Sequence, residues 1–129
     1  MSQDPNITAH YQTVMPYLIL QNEAAFIEFM KTVFGAEEGY KAMRDEHVIM
    51  HGEVTVGGST IMFADATDAF GVRPAGMFIY VPDADTTYRK ALEAGAKSIM
   101  EPADQPYGRS CGIRDPFGND WWPTTPPKS

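Results

Sequence analysis

The segment His47-Val48-Ile49-Met50-His51-Gly52-Glu53 holds the residue types of acid–base or metal chemistry. An imidazole titrates near neutrality, so His51 can serve as general acid, general base or polar anchor. A carboxylate two residues along a strand shares its face and can hold its tautomer. His51 and Glu53 are therefore the candidate catalytic pair. Two imidazoles and a carboxylate are also legitimate zinc donors. Same-face neighbours on a strand lie about 6.5–7 Å apart, so His51 and Glu53 can share an ion, whereas His47 reaches it only if the strand bends. The preferred alternative needs no metal: Glu53 orients His51, and His47 is an exposed strand-start residue. Arg109, in Tyr107-Gly108-Arg109, can clamp an anionic group bidentately or pair with Asp104 or Glu101 at the surface. Cys111 is a nucleophile only with a base in reach; otherwise it is a packing thiol.

Strands must position these residues, and the hydrophobic pattern supplies them. Val14–Leu20 is a short apolar run, followed by Asn22 as a helix cap and by Phe26, Phe29, Met30, Val33 and Phe34 at the spacing of a buried helical stripe, with Gly35 as the stop. Glu37–Arg44, His47–Val56 and Ser59–Asp65 read as strands, the last two joined at Gly57-Gly58. The pattern then repeats. Ala75–Val81 is a strand, and Asp83 caps a helix with Ala84, Tyr88, Ala91 and Leu92 on one face, stopped by Gly95. Strands follow from Lys97, over Tyr107–Ile113 and over Trp121–Thr125, the last two separated by the turn Asp115-Pro116-Phe117-Gly118. Gly35, Gly52 and Gly58 recur 60 residues later as Gly95, Gly112 and Gly118, which makes Cys111 the repeat counterpart of His51. The expected fold class is α+β, with tandem βαβββ modules over about 13–66 and 72–125 of a single domain spanning 1–129. The polar ends, 1–12 and 126–129, are expected to fray.

The 129 residues, 43% hydrophobic and 21% charged, suffice for one core without disulfides. A net charge of −7 repels phosphate backbones and anionic membranes, so nucleic acid and membrane are not expected partners. No apolar run is long enough to span a bilayer, no signal segment is evident, and the single cysteine suits a reducing compartment; the expected location is the cytoplasm. Eight methionines and fifteen aromatics are a surplus that fits either a core or an apolar pocket. Strand alternation places Tyr17, Met62, Phe78 and Tyr80 on the faces turned away from the helices, with Trp122 as a stacking wall, Trp121 in the core, and Cys111 and Arg109 beside them. These residues are the candidate lining for a small-molecule ligand.

The duplicated pattern, together with PYLIL, AAFIEFMKTVFGAE, IMHGEVTVGGSTIMFAD, FIYVPDADTTYRKALEAGAK and YGRSCGIRDPFGNDWW, resembles the vicinal-oxygen-chelate superfamily of glyoxalases, bleomycin-resistance proteins and extradiol dioxygenases. The MHGE and YGRSCGIRDPFG strings are most similar to its PhnB-like branch. The resemblance covers about Val14 to Thr125 and implies a cup-shaped mixed sheet, a homodimer, and a site built from both modules. Catalytic members hold a divalent metal at four positions, which carry over here onto Met15, Met62, Gly76 and Trp122. None of these supplies a hard oxygen or nitrogen donor. The expectation is therefore a ligand-binding protein with no metal cofactor. The rival is a lyase, isomerase or dioxygenase-like enzyme using His51 and Glu53, with or without a displaced metal.

Overall fold

The structure, a computed structural model, describes residues 11–127. The expected fraying at 1–10 and 128–129 lies outside the described residues. The chain runs β1 (Tyr17–Leu20), α1 (Glu23–Phe34), β2 (Glu37–Met43), β3 (Ile49–Val56), β4 (Ser59–Asp65), β5 (Gly76–Tyr80), α2 (Ala84–Glu93), β6 (Lys97–Gln105), β7 (Gly108–Arg114) and β8 (Asp120–Thr125). It forms two four-stranded mixed sheets, ordered β1-β4-β3-β2 and β5-β8-β7-β6. The β1–β4 and β5–β8 pairs are parallel and the remaining pairs antiparallel. The α+β, twice βαβββ expectation holds. Two compact units separate: residues up to Lys31 with Gly35–Arg73, and Thr32–Phe34 with residues from Pro74 on.

In the first unit, α1 starts at Asn22, whose backbone takes the left-handed conformation (φ 60°) that Asn tolerates. Its side chain accepts from the Ala25 N–H, while the Asp65 carboxylate accepts from the Glu23 N–H at 2.9 Å. The helix closes with Gly35 N–H to Lys31, the single bond of an αL end, and with Ala36 N–H to Met30, and Gly35 supplies the required φ of +67°. The stripe Phe26, Phe29, Met30 and Val33 is buried as expected. The Phe26 and Phe63 rings meet edge-on at 5.2 Å, so Phe63, Leu18, Leu20, Val54 and Ile61 form the helix-side face of this sheet. Tyr17, His51, Glu53 and Met62 fall on the opposite, open face.

In the second unit, Asp83 caps α2 through the Thr86 N–H. The buried helix positions are Ala84, Thr87 and Ala91. Leu92, expected on that face, is 37% exposed, because the buried stripe runs through Ala84, Thr87 and Ala91 and Leu92 lies one position past it. Val81, Ala84 and Cys111 form a cluster against which Phe34, Ile79 and Tyr88 pack, and Phe34 lies 4.7 Å from the Trp121 ring.

Two register features depart from simple alternation. Ala42 pairs with His51 and Met43 with Ile49, so Met50 is the extra residue of a β-bulge. The bulge turns Met50 outward beside His51. The second feature concerns the repeat. The two-residue Gly57-Gly58 hairpin pairs Gly52 with Phe63 and Glu53 with Met62. The longer turn after Arg114 pairs Ile113 with Trp121 and Ser110 with Thr124, which sets Gly112 against Trp122. The hairpins thus differ by one step, and the counterpart of His51 is Ser110, not Cys111. A one-residue slip reverses every face, so Cys111 turns under α2.

Candidate functional site

On the open face of the first sheet a chain of hydrogen bonds links three strand side chains and one from the preceding segment. His51 Nε2 lies 2.7 Å from Glu53 Oε2. The Tyr11 hydroxyl donates to both Glu53 oxygens at 2.9 Å. The Tyr17 hydroxyl lies 3.4 Å from His51 Nδ1. One proton inventory satisfies all of these: Nε2–H donates to the carboxylate and Nδ1 accepts from Tyr17. Glu53 is therefore fully engaged, and its accepted bond raises the Tyr11 hydroxyl above the usual phenol range. The His51 and Glu53 side chains are 23% and 8% exposed, whereas Tyr17 is 50% exposed. His47, in the turn before β3, is fully solvated and remote from this pair; Asp45 holds that turn by accepting from the His47 and Val48 N–H groups.

Beside the chain lies a cavity of about 260 Å³ walled by Tyr17, Ile19, Met50, Ala64, Thr67 and Phe70, with Arg44 and Asp65 also lining it. Its outer wall comes from the segment after β4. Arg73 bridges to Ile19 through two backbone bonds, and a turn from Thr67 to Phe70 closes on itself, bringing Phe70 back along β1. Tyr17 belongs to both features, with its hydroxyl on His51 and its ring in the cavity wall.

The other expected site residues divide by face. Phe78, Tyr80 and Trp122 lie on the open face of the second sheet; the Phe78 and Tyr80 rings meet edge-on at 5.1 Å, and Tyr107 lies 6.4 Å from Phe78. Arg109 and Cys111 do not join them, which corrects their expected role as lining. Arg109 binds Asp85, in the first turn of α2, through Nε at 2.9 Å and through a second nitrogen at 3.1 Å, and it also reaches Asp104. That bidentate bond holds the Asp85 carboxyl below its ordinary range. The guanidinium is committed to fastening a helix to its sheet. Cys111 is fully buried against the Ala84 and Pro123 carbonyls, and burial pushes its thiol up to about 11, so it is no nucleophile at neutral pH.

Sequence reasoning missed Tyr11, Gln12, Arg44, Met50 and Phe70. Tyr11 and Gln12 fall in the segment expected to fray, yet Gln12 brackets the Thr60 backbone through both its amide groups. The signal for Phe70 was an aromatic in an otherwise polar loop; no local signal marked the bulge at Met50.

Among the described residues no group of three or more His, Cys, Asp or Glu side chains is placed to hold a metal. By the superfamily resemblance the usual metal positions carry over onto Met15, Met62, Gly76 and Trp122, and a glycine, an indole and two thioethers do not fit hard divalent ions.

A tandem βαβββ protein with a cavity on an open sheet face is the class these features define. The family model for the Glyoxalase/Bleomycin resistance protein/Dioxygenase superfamily matches residues 10–122, and the chain belongs to that superfamily. An uncharacterized protein of Mycobacterium bovis is 27% identical over 118 residues, covering 82% of this chain and 78% of that protein. TioX from Micromonospora sp. ML1 superposes with a TM-score of 0.72 at 22% identity, covering 90% of this chain and 100% of that one. TnmS3, an antibiotic binding protein from Streptomyces sp. CB03234, gives 0.70 at 17% identity over 93% of this chain and 99% of its own. At these identities the two structural likenesses are likenesses of fold. No described helix is long and apolar enough to cross a membrane.

Proposed function

We propose that this protein binds a small apolar or aromatic molecule on the open face of its first sheet, with no metal at the superfamily's usual position. The observation that carries this reading is the cavity itself, walled by Tyr17, Met50 and Phe70 beside a hydrogen-bond chain in which His51 and Glu53 satisfy each other. The half-buried His51 and the buried Glu53 hold Tyr17 in place, and of this chain of side chains it is Tyr17 that lines the cavity. The shared fold with an antibiotic-binding protein supports the reading. The MHGE and YGRSCGIRDPFG strings support placement in the PhnB-like branch. The exposed aromatics Phe78, Tyr80 and Tyr107 on the second sheet support a homodimer, and the lone thiol a reducing, cytoplasmic setting.

The long 3.4 Å contact between Tyr17 and Nδ1 favours one second reading. A substrate that displaced the phenol would meet an imidazole backed by a carboxylate, which is the arrangement of a general base. Ligands found by thermal-shift screening separate the two. Under the binding reading, Tyr17→Ala weakens the ligand about tenfold or more, His51→Gln weakens it severalfold, and mass spectrometry recovers the ligand unchanged after long incubation. Turnover that falls about a hundredfold or more in His51→Gln at unchanged affinity would establish the enzyme reading instead. If Tyr17→Ala and Phe70→Ala both leave affinity unchanged, the site is misplaced.

A further inference from the structure

We infer that the ligand of the first-sheet cavity is a small planar anion, an aromatic or conjugated carboxylate or phenolate, whose charged group is taken by Arg44. The inference rests on the binding reading above and specifies the chemistry of that site. Both carboxylates near Arg44 are spent on backbone groups. Asp65 accepts from the Glu23 and Ile49 N–H groups at 2.9 and 2.7 Å, and Asp45, next to Arg44 in sequence, accepts from His47 and Val48 at 2.8 and 2.9 Å. Each keeps its charge, but its hydrogen bonds hold it against the backbone and neither closes an ion pair with the guanidinium among the described residues. Arg109 and Arg114, by contrast, are each locked to a carboxylate through two nitrogens. No ion pair of Arg44 is present among the described residues, and Arg44 is the one cation on the cavity wall.

Apart from Asp65 and Thr67, the remaining walls suit a flat apolar body. Tyr17 and Phe70 supply rings, while Met50, Ile19 and Ala64 supply aliphatic surface, with the bulge at Met50 placing an adaptable thioether where a strict alternation would not. An apolar cavity of about 150 Å³ holds a benzene ring, so 260 Å³ admits one or two fused rings with a carboxylate. A guanidinium matches such a carboxylate through two parallel hydrogen bonds. The protein carries a net charge of −7, so any preference for an anion must come from a local cation.

The test uses the intact chain and two probes, 2-naphthoate and its neutral analogue 2-naphthylmethanol, with affinities from calorimetry and location from the Met50 methyl signal. Naphthoate is expected to bind about tenfold or more tightly than the alcohol. Arg44→Gln should remove that preference while leaving the alcohol's affinity unchanged, and Arg44→Lys should restore part of it. An unaltered melting temperature and an unaltered alcohol affinity show that Arg44→Gln is folded. If both probes bind equally at Met50, or Arg44→Gln keeps the preference, the anion assignment is overturned and the binding reading stands. If neither probe moves the Met50 signal, both are overturned.

Discussion

Asp115→Ala should cost about 3–5 kcal/mol of stability, lowering Tm by on the order of 10–20 °C. Asp115 opens the turn before β8 and is 3% exposed. Its Oδ1 accepts from the Phe117 and Asn119 N–H groups, each at 2.9 Å. Its Oδ2 accepts from the Asn119 amide and the Trp121 indole N–H, each at 2.8 Å. Asn119 in turn accepts from the Ala75 N–H, tying the start of β5 to the same knot. Truncation leaves buried donors without partners, and a buried donor that loses its acceptor costs the full desolvation of that group. The DPFGN string is thus a structural device rather than a site motif. Asp115→Asn retains one oxygen for the two backbone donors but sets an amide nitrogen against two further donors, so it should lose roughly half as much. Denaturant titration followed by tryptophan emission measures both. An alanine variant within about 1 kcal/mol of the wild type would mean the knot is not formed.

Glu23→Gln should make the protein more stable, by a margin that grows with pH. Glu23 is fully buried at the first position of α1, and neither carboxyl oxygen finds a hydrogen-bond partner among the described residues. Burial, followed by the nearby Asp65 charge, pushes its carboxyl from 4.5 up to about 9. The unfolded chain releases this proton near its ordinary value while the folded protein keeps it. The native state therefore holds more protons between those limits, and stability falls as pH rises from about 4.5 to about 9. The slope is at most about 1.4 kcal/mol per pH unit. Glutamine keeps the shape without a proton to lose, so its advantage should be small near pH 5 and on the order of 3 kcal/mol by pH 8. Parallel stability curves for the two proteins across that range would show that Glu23 is charged and partnered.

The elements were legible because their signals are local. The Asn22 and Asp83 caps, the Gly35 stop, the glycine hairpin and the alternation in β1 and β5 each rest on a few neighbouring residues, and each recurs in the structure. Tyr17, His51, Glu53 and Met62 were legible as one face for the same reason. The errors come from distance. Whether Cys111 matches His51 depends on the loop lengths of two hairpins, since a five-residue turn and a two-residue turn close their strands one step apart. Arg109 was open between a ligand and a surface carboxylate, and its main partner, Asp85, lies 24 residues away on a helix. The outward turn of Met50 was not legible because a bulge leaves no trace in hydropathy. Tyr11 and Arg44 come to the open face only through tertiary placement, one by reaching Glu53 across 42 residues and the other by lining the cavity beside Tyr17 and Phe70.

Whether the open face of the first sheet takes a small molecule is read by methyl NMR of the intact chain titrated with a mixed set of aromatic and aliphatic fragments. Shifts should concentrate at Ile19, Met50, Met62 and Ala64, around Tyr17 and the His51–Glu53 pair. Signals of Met77, Ile79 and Ile113, which belong to the helix-side face of the second sheet, should stay fixed. Shifts absent from the first set, or confined to the second, would contradict binding at this face.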